Sequence, residues 1–105
     1  MKRQNPAYFI FDTKINNPEL LKPYQAKVEE SYKLYGGTLL ILGGKTETIE
    51  GKEPEGIFVM LRFDSQEQAN AWYSSPEYQE IIHHRHAAAK TQAWLVEGVP
   101  ETPNK

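Results

Sequence analysis

The chain has 105 residues, a length that suits one domain built on one modest core. It has no cysteine, which excludes disulfides, thiolate nucleophiles, Cys-ligated zinc and iron–sulfur clusters. Twelve basic against fourteen acidic residues leave a formal charge of −2, without the basic footprint of a nucleic-acid binder or a polybasic membrane binder.

In chain order, the run Ala7 to Lys14 is rich in aromatic and β-branched residues and predicts a first strand. Its apolar part, Ala7 to Phe11, is too short for a signal-peptide core or a membrane span, so a soluble cytoplasmic protein is expected. Asn17 and Pro18 read as the cap and first residue of a helix that stops at Tyr35 before Gly36-Gly37. Pro23 removes a helical hydrogen bond, which predicts an irregular first turn and a regular helix from about Pro23. Thr38 to Gly43 predicts a second strand, and the polar, glycine-containing stretch Gly44 to Gly56 a loop or a ragged strand extension.

Ile57 to Phe63 is the clearest strand pattern. Asp64 or Ser65 then caps a helix beginning at Gln66, and Ser74-Ser75-Pro76 interrupts it, with Ser75 as the cap of a second segment reaching about Ala89. Ala93 to Glu97 predicts the last strand, and 100–105, with two prolines and no large apolar side chain, a loose tail. The order βαββαβ specifies an α+β, ferredoxin-like arrangement over 1–105, with its core at about 7–99: a four-stranded antiparallel sheet with both helices on one face.

A sheet covered on one face alone should alternate apolar and polar residues. Leu39 to Leu42 and Ile57 to Leu61 are apolar on both faces, and Phe9 and Phe11 point opposite to Tyr8 and Ile10. The uncovered face is expected to meet a second copy, giving a homodimer joined through its sheets; the alternative is a face covered by the long loop.

Tyr35-Gly36-Gly37, Gly43-Gly44, the stretch Ala71-Trp72-Tyr73-Ser74-Ser75-Pro76-Glu77-Tyr78-Gln79, Arg85 and Leu95 to Val99 resemble the bacterial family called domain of unknown function 1330. The resemblance covers roughly Tyr8 to Pro100 and implies a dimeric α/β barrel of ferredoxin-like subunits. It also implies kinship with antibiotic-biosynthesis monooxygenases, muconolactone isomerases, chlorite dismutases and dye-decolorising peroxidases, and no agreed reaction. Members often carry arginine where this chain has Thr38 and Leu42, so any anionic ligand bound there by relatives would be bound less tightly here or replaced by another.

Arg85 is the most informative residue. On a helical period it shares a sheet-facing stripe with Tyr78, Ile82 and Ala89, where an unpaired guanidinium is costly. It either pairs internally with Asp12 or Glu97 or awaits an anionic ligand. Tyr24, Val28, Ser31 and Tyr35 form the inward stripe of the first helix, so Tyr24 and Tyr78 can share a helix–sheet space with Arg85. Two phenols and a guanidinium around an apolar cleft suit a small aromatic or carboxylated molecule, although such tyrosines also serve as packing residues. Trp72 anchors the second helix as a core residue and, with Asp12, completes the set of candidate binding residues.

His84 flanks the stripe and is the candidate general acid or base, with Tyr24 as a second proton-handling group. His83 and His86 have a spacing that can chelate, but His83 points to solvent and no carboxylate is in register, so no metal site is assigned. No P-loop, dinucleotide fingerprint or nucleophile elbow is present, and no cofactor is assigned. Two functions stay open: a cofactor-independent isomerase or oxygenase acting on a small organic molecule, and a non-catalytic dimeric metabolite-binding or accessory module. A haem-binding role is disfavoured because no histidine is placed as a proximal ligand.

Overall fold

A computed structural model describes residues 5–101. The elements are β1 (Ala7–Ile15), α1 (Pro18–Leu34), β2 (Thr38–Leu42), β3 (Ile57–Phe63), α2 (Gln66–Tyr73), α3 (Pro76–Ala88) and β4 (Ala89–Glu97). The strands form one antiparallel sheet in the order β2-β3-β1-β4. This is the ferredoxin-like α+β arrangement, with its second crossover broken into two helices at Ser74-Ser75.

Register decides which side chains meet. Phe9 lies opposite Leu61 and Leu95, and Phe11 opposite Val59 and Ala93. Because strand side chains alternate, Phe9, Phe11, Leu61 and Phe63 share one face. That face carries the core, where Trp72, Tyr78, Ile81 and Ile82 cover it from α2 and α3. The rings pack edge-to-face and stacked: Phe9 meets Trp72 at 5.4 Å and Phe63 stacks on Trp72 at 5.6 Å. Trp72 is fully buried, and its indole N–H donates to Ser31 Oγ at 3.0 Å, so burying its one polar atom leaves no orphan.

The caps follow local chemistry. Asn17, Ser65 and Ser75 each accept a backbone N–H three residues on, from Leu20, Gln68 and Tyr78. Gly36, at φ +80°, ends the turn after α1 where a side chain would be strained.

Three boundaries correct the expectations. The first helix is regular from Pro18, not from Pro23. Pro23 sits sixth in the helix, and the carbonyl it leaves unbonded belongs to exposed Glu19, where water can satisfy it. β4 starts at Ala89 rather than Ala93, because Ala89 to Gln92 continue the ladder down to Ile15 of β1. Pairing in the sheet outweighs the weak strand propensity of Ala-Lys-Thr-Gln. The tail is not loose at its start: Glu101 pairs with Arg62, with Nε donating to Oε2 at 3.1 Å, and Asp64 holds the same guanidinium. Residues 102–105 lie outside the described residues.

Among the described residues no helix covers the opposite sheet face. It presents Tyr8, Ile10, Ile41, Phe58, Met60, Trp94 and Val96, of which Trp94 and Val96 are each 46% exposed. The β2–β3 loop overhangs one end of it.

Candidate functional site

α1 packs chiefly against α3, and its Tyr32 joins the core on the sheet. Between α1 and strands β2 and β3 lies a cavity of about 320 Å³. Its walls are Leu21, Tyr24, Val28 and Tyr32 from α1, Phe11 and Thr13 from β1, and Leu39, Leu42, Ile57, Val59 and Leu61 from β2 and β3. Trp72 and Arg85 close it from α2 and α3. The volume sits at the lower end of the range for small-molecule sites, and the lining is predominantly apolar, as such sites are.

Gln25 and Glu29 also line the cavity but are exposed, whereas Arg85 is the buried exception to that apolarity. It is 4% exposed, and none of the ion pairs among the described residues involves it. Its Nε has no hydrogen-bond partner. The guanidinium carbon lies 5.4 Å from the centre of the Phe11 ring and 5.9 Å from that of Tyr24, close enough for cation–π attraction to offset part of its desolvation. Beside it, the Tyr24 and Tyr78 hydroxyls are hydrogen-bonded at 2.7 Å. Burial pushes the Tyr24 phenol well above its ordinary pKa, with the neighbouring Tyr78 phenol adding to the shift. Burial also raises Tyr78, against the opposing pull of Arg85. Both phenols are therefore protonated hydrogen-bond donors at neutral pH.

The sequence-derived candidates separate in space. Arg85, Tyr24 and Trp72 line one cavity, and Tyr78 supports Tyr24 from behind. Asp12 does not join them. It projects from the other face of β1, where its carboxylate accepts the backbone N–H groups of Gly56 at 2.8 Å and Glu55 at 3.1 Å. Register explains this: Phe11 and Thr13 face the helices, so Asp12 between them cannot. Glu97 is likewise no partner for Arg85, since it is exposed and bound by Asn5 at 3.1 Å. His84 does not line the cavity; its ring lies against that of His83 at 4.0 Å. Among the described residues no group of three or more His, Asp or Glu side chains is placed to hold a metal ion. The aliphatic walls from β2 and β3 were not legible as a site, because Leu, Val and Ile carry no signal that separates a cavity wall from a filled core.

With that geometry in place, comparison with known proteins is informative. The sequence matches the family described as Domain of unknown function (DUF1330) over residues 6–99. The chain belongs to that family. No curated protein matches it in sequence. Among solved structures, this DUF1330 protein is similar to the RPA0582 protein of unknown function from Rhodopseudomonas palustris. The TM-score is 0.71 at 16% identity, covering 92% of this chain and 85% of that one. It is also similar to SnoaB, a cofactor-independent oxygenase from Streptomyces nogalater, with TM-score 0.62 and 10% identity over 95% of this chain and 99% of that one. A conserved protein of unknown function from Bacteroides thetaiotaomicron gives TM-score 0.58 at 12% identity, covering 91% and 99%. At these identities the likeness is one of fold. No helix among the described residues is long and apolar enough to cross a membrane.

Proposed function

We propose that this DUF1330 protein is a cytoplasmic homodimer whose subunits each bind a small organic molecule between α1 and the sheet. The observation that carries the reading is Arg85. A guanidinium buried without a carboxylate costs several kcal/mol unless something compensates it. Here it stands at the wall of a preformed apolar cavity. A structural arginine would have found an internal partner; a ligand-reading one is kept open for its ligand. Tyr24, held from behind by Tyr78, then presents a neutral hydroxyl beside the bound molecule, and Trp72 serves as the floor of its site.

A second reading is catalysis of the kind named for SnoaB, cofactor-independent oxygenation. The hydroxyl pair Tyr24–Tyr78 favours it, since two bonded phenols beside a bound substrate can move a proton. His84 takes no part in this reading. Thermal shift against a panel of small organic molecules tests the first reading, followed by a turnover assay on each stabilising compound. Stabilisation without consumption identifies a binding module, and consumption an enzyme. If no compound of the panel raises the melting temperature at millimolar concentration, the site reading fails.

A further inference from the structure

The cavity buries charge at one end only: Gln25 and Glu29 of α1 also line it, but both are exposed. Arg85, Trp72, Phe11 and Leu61 are all at most 4% exposed and form its closed end. Leu42, at 66% exposure, and Ile57, at 39%, line the same cavity and are open to solvent, so they mark the mouth. The cation therefore lies deep, and the entrance is aliphatic on its sheet side and polar, at Gln25 and Glu29, on its α1 side. A hydrophilic anion gains nothing from that aliphatic side, and a neutral hydrophobe leaves the guanidinium unsatisfied. Thr13, from the same wall, adds at most one hydroxyl. Glu29, the other charged residue of the wall, is exposed and already paired with Lys33 at 2.9 Å, so the charge left for a ligand to balance is that of buried Arg85.

Resting on the proposed small-molecule site, we infer that its ligand is an amphiphilic monoanion: a carboxylate head seated on Arg85 deep in the cavity, with an apolar body running out to Leu42 and Ile57. Arg85 reads the head by paired N–H donation. The aliphatic walls read the body by burial alone, so they discriminate by length and girth rather than by pattern.

The probes that test this are phenylacetate, 3-phenylpropanoate and 4-phenylbutanoate, each with its uncharged amide, titrated calorimetrically at neutral pH. Each carboxylate should bind at least tenfold tighter than its amide, and affinity should rise about fourfold per added methylene until the cavity is full. Arg85→Met should erase the preference for carboxylate while keeping amide binding, and should melt higher than the parent chain, because an unpartnered buried charge is gone. A variant that melts lower would assign Arg85 to structure and overturn the inference. Equal binding of carboxylate and amide by the parent chain would also overturn it while leaving the site intact. Binding of neither series at millimolar concentration would remove the site itself, and the inference with it.

Discussion

At the scale of single residues, the tyrosine pair and Arg85 show one economy in opposite forms. Tyr24 and Tyr78 satisfy each other, so two buried hydroxyls leave no orphan. Arg85 has no ion-pair partner among the described residues, and its Nε makes no hydrogen bond. Replacing Tyr24 by Phe strands the Tyr78 hydroxyl in a fully buried position. Chemical denaturation should show a loss of about 1–3 kcal/mol; a loss within measurement error would mean the pair contributes nothing. The same pair sets an alkaline limit. Both phenols have folded pKa values raised above the unfolded value near 10, chiefly by burial. Their contribution to stability is fully present below about pH 10 and is lost as pH rises through the raised folded values. Titration of tyrosinate absorbance should find four of the six tyrosines, Tyr24, Tyr32, Tyr35 and Tyr78, ionising above pH ~10, with Tyr24 the furthest displaced. Six coincident titrations near the ordinary value would contradict it.

At the scale of elements, the β2–β3 loop is fastened where β3 begins. Asp12 takes the amides of Glu55 and Gly56, and a Cβ on Gly56 would lie 2.0 Å from the carbonyl oxygen of Thr13. Only glycine lets the loop approach β1 that closely. Gly56→Ala should cost about 1–3 kcal/mol through this overpacking and open residues 43–56 to protease. Gly44→Ala, where nothing lies within 4 Å of the added carbon, should leave both unchanged. Equal proteolysis of the two variants would show that the fastening is not what orders the loop. The elements themselves were largely legible: Asn17, Ser65 and Ser75 announce their helices by capping chemistry, and Ile57–Phe63 by its run of branched and aromatic residues. The start of β4 was not, since Ala-Lys-Thr-Gln becomes a strand only because β1 lies beside it.

At the scale of the whole molecule, one sheet with helices on one side makes a slab only 17 Å along its shortest Cα axis. The apolar residues Ile10, Ile41, Met60, Trp94 and Val96 are left on its bare side. A patch of that kind is the surface on which the proposed dimer forms. Sedimentation velocity at micromolar concentration should give the mass of two chains, and Trp94→Glu should give one, since a carboxylate at the centre of an apolar contact is desolvated without a partner. A parent chain that sediments as a stable monomer would remove the dimer and leave the cavity, which lies on the other face, untouched.

The sequence alone determined the order of elements, the two-sided apolar strands, the inward stripe of α1 and the inward arginine, because periodicity and capping are local properties of the chain. It also carried the family resemblance, through the stretch from Trp72 to Tyr78. The tertiary structure decided what those side chains meet. Strand parity sent Asp12 to the far face and left Arg85 unpaired, and the packing of α1 on α3 opened a space above β2 and β3. Pairing and emptiness depend on where distant segments come to rest, and no local pattern encodes that distance.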